Sequence, residues 1–380
     1  KVGAPVIALI DCAGLRLEEA TDALEGFGEV FAKQAEASGV IPQITAVFGT
    51  CGGGSAISAS LSDFVFMEEN NAKLFVNAPN TIDHNYTGKC DTAASSFMAQ
   101  SGVADFVGKD EETVLNDIRN LIALLPSNNE DDAIGVEEED DLNREVPAFA
   151  SEIADVTLAL KDISDQGCFM EVKAEYAKEM VTALIRLNGM TVGAIANRTA
   201  IVDEKGKTCE TFAPVLTTAG CYKAESFVKF CNSFHIPVLT LTNVTGFGTS
   251  LEDAKSVGIA AAKLTYAFSN AVVPKINLIT GKAYGSAYVV MNSKAIGADL
   301  VFALEQAEIG TMDADLAAQI MYPDLETRKE KAATYQALAQ SATSAAKRGY
   351  VDAILSPESV RKQLIYGFEM MYSKRVTRPF

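Results

Sequence analysis

The sequence is poor in histidine and has no tryptophan. Among its 380 residues, only His84 and His235 carry an imidazole. A histidine-based triad or metal cluster needs several such side chains in one place, so this composition nearly excludes both. The seven cysteines are an odd number, and no two of them form a C-x-x-C pair. This distribution is typical of a reducing compartment and indicates neither a disulfide framework nor a zinc site.

Positive charge and long apolar runs are also scarce. Lys and Arg number 32 against 50 Asp and Glu, which gives a formal net charge of −18. Nucleic acids and anionic membranes are therefore unfavourable bulk partners. No run reaches the roughly 18 apolar residues of a spanning helix, and the start, KVGAPVIALIDCAG, lacks the basic head and cleavage site of a signal peptide. We expect a soluble, cytoplasmic protein with no nucleic-acid partner and no direct membrane insertion.

Part of the negative charge is concentrated in one segment. Residues 130–141, EDDAIGVEEEDD, hold eight carboxylates and no Lys or Arg. Such a run is usually a solvated linker or surface loop. The EF-hand spacing that would favour a cation site is absent. We interpret the segment from about 128 to 146 as an acidic linker in a chain that is long enough for two domains.

The second half of the chain repeats the first. PQITAVFGTCGGGSA, from Pro42, aligns with PKINLITGKAYGSAY, which starts 232 residues later at Pro274. At the same offset, DCAGL from Asp11 lies over NVTGF from Asn243. Further matches pair DFVF at 63–66 with DLVF at 299–302, and SGVADFV at 101–107 with RGYVDAIL at 348–355. Such self-similarity indicates a duplicated structural unit.

Each copy alternates apolar strands with amphipathic helices. Strands are predicted at 6–10, 44–48 and 64–67, and again at 238–242, 276–280 and 300–303, with helices at about 18–38 and 251–270. This alternation predicts parallel strands covered by helices, an α/β fold. We place one domain at 1–146 and the other at 147–380. The second copy is preceded by a strand-and-helix segment without a counterpart in the first, so we expect the chain to start inside its first domain.

Four glycines lie together where the second strand of the first copy ends. Gly49, Gly52, Gly53 and Gly54 fall within six positions of GTCGGGSA. Glycine costs conformational entropy, so the backbone here must either bend for close packing or admit a group close to its N–H groups. A strand that enters a helix through such a turn leaves N–H groups for an anion, either a phosphate or a carbonyl oxygen that gains charge.

The two turns do not match the common phosphate or nucleophile motifs. GTCGGGS has Ser55 where a P-loop needs lysine, and KAYGSAY has its lysine on the wrong side of the turn. Neither contains G-x-S-x-G, and Cys51 has no evident base. One such turn alone would be explained by close packing. Two equivalent turns, each with an upstream partner turn (CAGLR and VTGFG) able to offer a second N–H, favour a pair of oxyanion holes.

These motifs resemble the carboxyltransferase subunit of biotin-dependent acyl-CoA carboxylases and decarboxylases. DCAGLR from Asp11 is similar to the family's D-S-G-G-A-R, CGGGSA from Cys51 to C-A-G-G-A-V, and KAYGSAY from Lys282 to K-A-Y-G-G-A-Y. AKLTYA from Ala262 is similar to A-K-L-L-Y-A, and AAKRGYVD at 345–352 matches a run near the family's C-terminus. The matches span nearly the whole chain. The resemblance implies two duplicated crotonase-like domains, each a spiral of repeated ββα units.

The resemblance also implies a first oxyanion hole, for the thioester oxygen of acyl-CoA. Its donors would be the N–H groups of Gly54 and Leu15, with Gly53 beside them. Arg16 is a candidate to face a phosphate of CoA, and a structural ion pair is the alternative. Residues 12, 13 and 15 depart from the family's Ser, Gly and Ala, so the Leu15 donor depends on a turn of altered sequence.

A second implied hole would accept the ureido oxygen of biotin. Its donors would be the N–H groups of Ser286 and Ala287, with Gly285 shaping the turn. Ser286 replaces a glycine of the family, a change that preserves the backbone donor if φ stays negative. Lys282 is a candidate to face a CoA phosphate or simply the surface.

The implied reaction requires no protein base and no metal in this subunit. Carboxybiotin releases CO₂, its ureido nitrogen removes the α-proton of acyl-CoA, and the protein stabilises two oxyanions and excludes water. Biotin would arrive on a separate biotin carboxyl carrier protein, because the chain contains no A-M-K-M segment. Other implied partners are a biotin carboxylase or membrane decarboxylase subunit, and further copies of this chain, from dimer to hexamer.

Three functional hypotheses stay open from the sequence. The first is carboxyl transfer between carboxybiotin and an acyl-CoA of the acetyl or propionyl/methylmalonyl type, in a carboxylase or in a sodium-pumping decarboxylase. The second is a crotonase-type hydratase or isomerase, which needs a carboxylate beside the Gly-rich turn, where residues 55–62 have none. The third is a non-catalytic scaffold subunit, against which the paired turns argue.

Overall fold

The computed structural model describes residues 2–12, 14–85, 90–131, 135, 139–322 and 327–374. Contacts between Cα atoms divide the chain into two units. The first unit comprises 1–134, 172–177 and 233–235, and the second comprises 135–171, 178–232 and 236–380. The domain boundary at residue 146 stays a prediction. Among the described ranges, no helix combines the length and the apolar character that crossing a membrane requires.

The first unit is a parallel sheet with helices, which confirms the predicted α/β class. Its strands are β1 (Val6–Cys12), β2 (Gln43–Gly52), β3 (Phe64–Glu68), β4 (Lys73–Phe75) and β5 (Phe106–Gly108). Its helices are α1 (Ala20–Ala37), α2 (Gly54–Ser60), α3 (Ser95–Gln100) and α4 (Glu111–Leu124). The strand order is β1-β2-β3-β5, and β4 pairs with the last residues of β2. Apolar side chains such as Val47, Met67 and Leu74 form the core.

The second unit contains a larger, mixed sheet. The strands of this unit, of which β9 and β10 form one small sheet and β11 and β13 another, are β6 (Phe169–Val172), β7 (Met180–Leu187), β8 (Met190–Asn197), β9 (Ala200–Val202), β10 (Thr208–Thr211), β11 (Val215–Leu216), β12 (Val238–Val244), β13 (Gly246–Phe247), β14 (Lys275–Tyr284), β15 (Leu300–Leu304), β16 (Glu308–Gly310) and β17 (Ala353–Leu355). The order of the main sheet is β17-β15-β14-β12-β8-β7-β6, with β16 on β14. Only the β7–β8 pair is antiparallel among the pairings described for this sheet.

Helices cover this sheet and complete its core. They are α5 (Phe149–Glu152), α6 (Val156–Ile163), α7 (Thr218–Ser233), α8 (Leu251–Asn270), α9 (Gly285–Val290), α10 (Ala314–Met321), α11 (Arg328–Tyr335), α12 (Ala342–Lys347) and α13 (Val360–Met370). Leu160 of α6 and Phe368 of α13 are fully buried against strand residues such as Leu239 and Leu278. Strands buried on both faces explain the continuous apolar runs of the sequence.

The strand register reproduces the alignment of the two copies. Val6 pairs with Gln43 across β1 and β2, and Val238 pairs with Lys275 across β12 and β14, at the same offset of 232 residues. Both ladders shift at the same place. Cys12 comes to lie opposite Cys51, and Val244 opposite Ala283. A β-bulge therefore occurs in both copies, just before the turns of interest.

Aspartates hold the neighbouring strands together in the same way in both units. The carboxylate of Asp63 accepts the N–H of Gln43 at 2.8 Å, and that of Asp299 accepts the N–H of Lys275 at 2.8 Å. The carboxylates of Asp105 and Asp352 likewise accept the N–H groups of residues 65 and 301, at 2.7 Å each. The repeated aspartates of the sequence thus have a structural role at the strand starts.

The acidic run is only partly a solvated segment. Residues 132–134 and 136–138 lie outside the described residues. Asp140 is an ion-pair partner of Arg144 at 2.9 Å and of the buried Arg361 at 3.4 Å. Burial opposes ionisation, yet the hydrogen bond from Arg144 keeps the pKa of Asp140 below its usual value. For Asp140 the expectation of a solvated linker is wrong, because the sequence does not reveal its distant partner Arg361.

Candidate active site

The first glycine of the Gly-rich turn is explained by a contact between strands. At the bulge, the carboxylate of Asp11 accepts the N–H of Thr50 at 3.0 Å. A Cβ atom on Gly49 would lie 2.0 Å from Asp11 Oδ1, a separation that non-bonded atoms do not adopt. Gly49 is therefore needed so that Asp11 can hold the bulge.

The other three glycines have separate causes. A Cβ on Gly52 would lie 2.8 Å from the ring of Phe75, and a Cβ on Gly54 would lie 3.1 Å from the ring of Phe27. Gly53 has φ +59°, a conformation that side-chain-bearing residues rarely adopt, and its N–H donates to the carbonyl of Phe75 at 2.9 Å. Close packing thus explains Gly52, whereas Gly53 supplies the bend that directs the chain into α2.

The structure places the two candidate donors of the first hole at one edge of the sheet. Gly54 is the first residue of α2, so the helix supplies no internal partner for its N–H. Leu15 lies in the loop after β1, with 38% of its surface exposed. Because β1 and β2 are parallel neighbours, their carboxyl ends meet at the same edge. Ala13, in the same loop, lies outside the described residues.

The glycine of the second turn has nearly the same φ as Gly53 of the first. Gly285 has φ +61° and opens α9, and a Cβ on it would lie 3.2 Å from the carbonyl oxygen of Thr311. Ser286, which is exposed, and Ala287, which is buried, follow it in the first turn of the helix. N–H groups in the first turn have no partner within the helix. Two adjacent backbone donors are thereby available at this helix start.

The bulge contact of the second unit uses an amide in place of a carboxylate. Asn243 Oδ1 accepts the N–H of Lys282 at 3.0 Å, and a Cβ on Gly281 would lie 2.7 Å from that oxygen. The sequence alignment had placed Asp11 over Asn243 without assigning either a role. The sequence signal for this contact is that Asp11 precedes Gly49 by the same number of residues as Asn243 precedes Gly281. Sequence reasoning missed it.

Two N–H groups of the upstream turn of the second unit form hydrogen bonds within the protein. The N–H groups of Thr245 and Gly248, in VTGFG, donate to the carbonyls of Pro214 and Leu216 at 2.7 and 2.8 Å. β13, which lies between them, pairs with β11. Neither N–H group is therefore available to a substrate, and that another residue of the turn supplies the second donor stays a prediction.

Beside each turn a glycine on one strand faces an aromatic residue on the neighbouring strand, but the two residues occupy opposite strands in the two units. In the first unit Gly52 of β2 lies opposite Phe75 of β4. In the second unit the equivalent pair is Tyr284 of β14 and Gly310 of β16. Each turn thus has one ring beside it, but only the second ring carries a hydroxyl.

The two candidate cations near the turns are surface residues. Arg16, whose side chain is 80% exposed, contacts Glu19 at 3.4 Å. Lys282 lies 3.9 Å from Asp313 and 5.6 Å from the centre of the Tyr284 ring. Such exposed pairs are worth about 0–1 kcal/mol, so a ligand phosphate can compete for either cation.

The chemistry of the first turn does not depend on a thiolate. Cys51 is buried, and this burial, with a smaller contribution from Cys12, raises the pKa of the Cys51 thiol to about 11. At neutral pH the thiol stays protonated and is a poor nucleophile. Asp11, the carboxylate that holds the bulge, accepts a backbone hydrogen bond. Backbone donors are thus the groups that the turn offers to a substrate.

Comparison with known protein families matches the whole chain, residues 1–380, to the family described as "Carboxyl transferase domain". The chain belongs to this family. It is a carboxyltransferase, a subunit of the biotin-dependent acyl-CoA carboxylase and decarboxylase enzymes. The resemblance found in the motifs is confirmed.

Individual relatives agree with this assignment. The carboxyltransferase is 39% identical to the carboxyltransferase subunit of propionyl-CoA carboxylase of Haloferax mediterranei, over 100% of this chain and 75% of that one. It is 36% identical to the methylmalonyl-CoA decarboxylase subunit alpha of Propionigenium modestum, with the same coverage. It is 35% identical to the methylmalonyl-CoA carboxyltransferase 12S subunit of Propionibacterium freudenreichii subsp. shermanii, over 99% of this chain and 74% of that one.

Solved structures share the fold. A transcarboxylase 12S structure with hydrolysed methylmalonyl-CoA superposes with a TM-score of 0.88 at 33% identity, and one with methylmalonyl-CoA and methylmalonic acid at 0.90 and 32%. Each match covers 100% of this carboxyltransferase and 74% of the solved chain. Both are described as a hexamer assembly.

Proposed function

We propose that this carboxyltransferase moves a carboxyl group between biotin and an acyl-CoA of the propionyl/methylmalonyl type, and that it uses two backbone oxyanion holes. The observation that carries the proposal is the repetition of one turn, with φ near +60° at Gly53 and Gly285, after the same bulge in two duplicated ladders. The relatives that support this substrate class are a methylmalonyl-CoA decarboxylase subunit, a propionyl-CoA carboxylase subunit and a methylmalonyl-CoA carboxyltransferase subunit. We also propose that the duplicated units are crotonase-like.

The first hole stabilises the thioester oxygen of acyl-CoA when it becomes an enolate. Its donors are the N–H groups of Gly54 and Leu15, and Gly53 sets the direction of the chain. Arg16, which can leave Glu19 at little cost, attracts a phosphate of CoA in a protein of strongly negative net charge.

The second hole receives the ureido oxygen of biotin. Bound biotin supplies the carboxyl group and the nitrogen that exchanges a proton with the acyl-CoA α-carbon. The N–H groups of Ser286 and Ala287 suit a ureido oxygen because they are adjacent donors at a helix start. Lys282 beside this turn attracts negative charge, and Gly285 keeps the turn free of a side chain.

The partners follow from this chemistry. The biotin group arrives on a separate carrier protein, and a biotin carboxylase or a membrane decarboxylase subunit completes the enzyme. Further copies of the chain assemble with it, as in the hexameric transcarboxylase 12S. In this proposed mechanism biotin and acyl-CoA exchange the proton directly, so the reaction needs neither a protein base nor a metal.

The direct test is transfer from methylmalonyl-CoA to free biotin by the purified protein. In this direction the carboxyl group leaves the α-carbon of methylmalonyl-CoA and becomes attached to the ureido nitrogen of biotin. The proton of that nitrogen moves to the α-carbon. Gly54→Val keeps the backbone N–H but places a side chain beside it, against the ring of Phe27, so the thioester oxygen can no longer reach the donor. We expect kcat to fall by about 10²–10³, as when one oxyanion donor is lost. Gly28→Val, on α1, is the control, because a Cβ on Gly28 meets no atom within 4 Å. Full activity of Gly54→Val would refute the first hole, and silence of the wild type would refute the function.

The decarboxylase direction is a second candidate because of the 36% identity to a methylmalonyl-CoA decarboxylase alpha subunit. A catalyst of transfer accelerates both directions, so the distinction lies with the partner subunits. Co-purification of the chain from its source with a membrane subunit would assign decarboxylation, and with a biotin carboxylase would assign carboxylation. Hydration of an enoyl-CoA by the wild type would instead support a crotonase-type hydratase.

A further inference from the structure

The residue before the second turn has a side chain that reaches another strand. Tyr284 ends β14 and its ring is buried. The hydroxyl of Tyr284 donates a short hydrogen bond to Glu308 on β16. Burial, followed by the contact with Glu308, raises the pKa of the Tyr284 hydroxyl. It therefore remains a donor throughout the neutral range.

Glu308 is held from a second direction. Gln336 Nε2 donates to the other carboxylate oxygen of Glu308 at 2.9 Å. Gln336 begins a π-helical segment, Gln336–Gln340, and such segments are frequent at functional sites. At its far end the buried Gln340 donates to the carbonyl of Met312 at 2.5 Å. The π-helical segment thus contacts both β16 and the loop that follows it.

The same loop packs against the glycine of the turn. The carbonyl oxygen of Thr311 would lie 3.2 Å from a Cβ on Gly285, and Thr311 Oγ1 lies 3.2 Å from the hydroxyl of Tyr335. A cavity of about 330 Å³ borders this region, with Lys282, Glu308 and Gln336 among the residues that line it. The residue before the turn, Tyr284, is thus bonded to β16, and the loop after β16 packs against the turn glycine.

The first unit shows that the fold does not require this arrangement. There, Gly52 precedes the turn glycine and has no side chain to form such a contact. The position equivalent to Glu308 is Lys73, which is paired with Asp91 at 2.7 Å. Of the two turns, only the second has a phenol–carboxylate contact beside it among the residues that the structure describes.

We propose that Tyr284, through Glu308 and Gln336, is a positioning residue for the second oxyanion hole. The inference rests on the proposed function of this turn. The hydroxyl contact fixes the direction in which the chain leaves β14 and hence the aim of the N–H groups of Ser286 and Ala287. Preorganised donors stabilise a developing charge without reorganisation, so a loosened turn loses rate.

The test is Tyr284→Phe in transfer from methylmalonyl-CoA to free biotin. The variant keeps the ring and removes only the hydroxyl. We expect kcat to fall about tenfold, within the range for misplaced catalytic groups, and KM for biotin to rise. KM for methylmalonyl-CoA is expected to stay unchanged, because other residues form the first hole. Tyr288→Phe, on α9, is the matched control, since burial alone raises the pKa of the Tyr288 hydroxyl, with no hydrogen bond to the residues that the structure describes.

A double-mutant cycle separates positioning from general destabilisation. Glu308→Gln weakens the same contact from its other side, so the double variant Tyr284→Phe/Glu308→Gln should be no slower than the slower of the two single variants. Thermal unfolding midpoints close to wild type are expected for all three. The inference would be overturned, with the function left intact, by any of three results. These are additive losses of kcat in the double variant, an equal rise of the KM values for biotin and methylmalonyl-CoA, or wild-type kinetics of Tyr284→Phe. A wild type without any transfer would refute the function itself, and the inference with it.

Discussion

At the scale of single residues, the glycines of the first turn have several physical causes. Gly53 is required by a positive φ, whereas Gly49 and Gly52 are required by neighbours that a side chain would meet. The sequence alone presented close packing and substrate approach as alternatives. In the structure, packing explains part of the cluster, and the remaining glycines form the proposed donor site.

Gly49 and Asp11 should be coupled energetically. We expect Gly49→Ala to destabilise the protein by about 1–3 kcal/mol, because the new methyl group meets the Asp11 carboxylate. Combining it with Asp11→Ala should recover part of the loss. Urea unfolding of the two single variants and the double variant measures the coupling. Strictly additive losses would show that the contact does not constrain the glycine.

Asp63 is an acid whose charge the folded protein disfavours. Burial, with a smaller contribution from the carboxylate of Asp105, raises the pKa of Asp63 from 3.8 to about 6, against the opposing hydrogen bond from Gln43. The equivalent acid of the second unit, Asp299, is paired with Lys374 at 2.7 Å. The two copies of one structural aspartate therefore differ in electrostatic environment.

Because of this difference, we expect Asp63→Asn to raise the free energy of unfolding, by an amount that depends on pH. A raised folded pKa means that ionising Asp63 costs stability, a cost that is absent below pH 4, grows as the pH rises to about 6 and is constant above. Relative to wild type, the variant should gain up to about 3 kcal/mol between pH 4 and pH 7. Urea midpoints across this range measure it. Asp299→Asn, which removes the partner of Lys374, should instead lose stability at pH 7, and a pH-independent effect of Asp63→Asn would contradict the assignment.

At the scale of elements, two observed strands are longer than predicted, because their extra residues pair with short neighbouring strands. The strand predicted at 44–48 is observed as Gln43–Gly52, and the one at 276–280 as Lys275–Tyr284. The extensions pair with β4 and β16, respectively. Apolar periodicity identified the buried part of each strand. The extended part is polar or glycine-rich and is stabilised by a partner distant in sequence, so it carried no signal.

An arginine connects α13 to α6 in the second unit. Arg361 is fully buried, with bonds to the carbonyl of Ile163 at 2.7 Å and to Asp165 at 2.8 Å. Asp165, also buried, accepts the N–H of Gly189 at 2.7 Å. We expect Arg361→Met to cost about 3–5 kcal/mol, because it leaves a buried carboxylate uncompensated. Chemical denaturation measures this, and Arg361→Met/Asp165→Asn should lose less than the sum of the single losses. A cost near zero would show that the pair is dispensable.

At the scale of the whole molecule, the net charge of −18 opposes an anionic substrate. Raising the ionic strength from about 0.01 M to about 0.15 M shortens the Debye length from about 30 Å to about 8 Å. Repulsion of acyl-CoA then weakens, so KM for methylmalonyl-CoA should fall as salt is added. Biotin methyl ester, which is uncharged, is the control substrate and should show little dependence. A KM for methylmalonyl-CoA that rises with salt would mean that local cations dominate.

The sequence by itself determined the duplication, the α/β class, the two Gly-rich turns and the family. These follow from patterns within short segments, where periodicity and spacing express local physical requirements. Only the tertiary structure decided which amides remain for a substrate, as the engaged N–H groups of Thr245 and Gly248 show. It also decided the contacts of Asp11, Tyr284 and Arg361. Such contacts join residues far apart in the chain, and their energies depend on burial and geometry that exist only after folding.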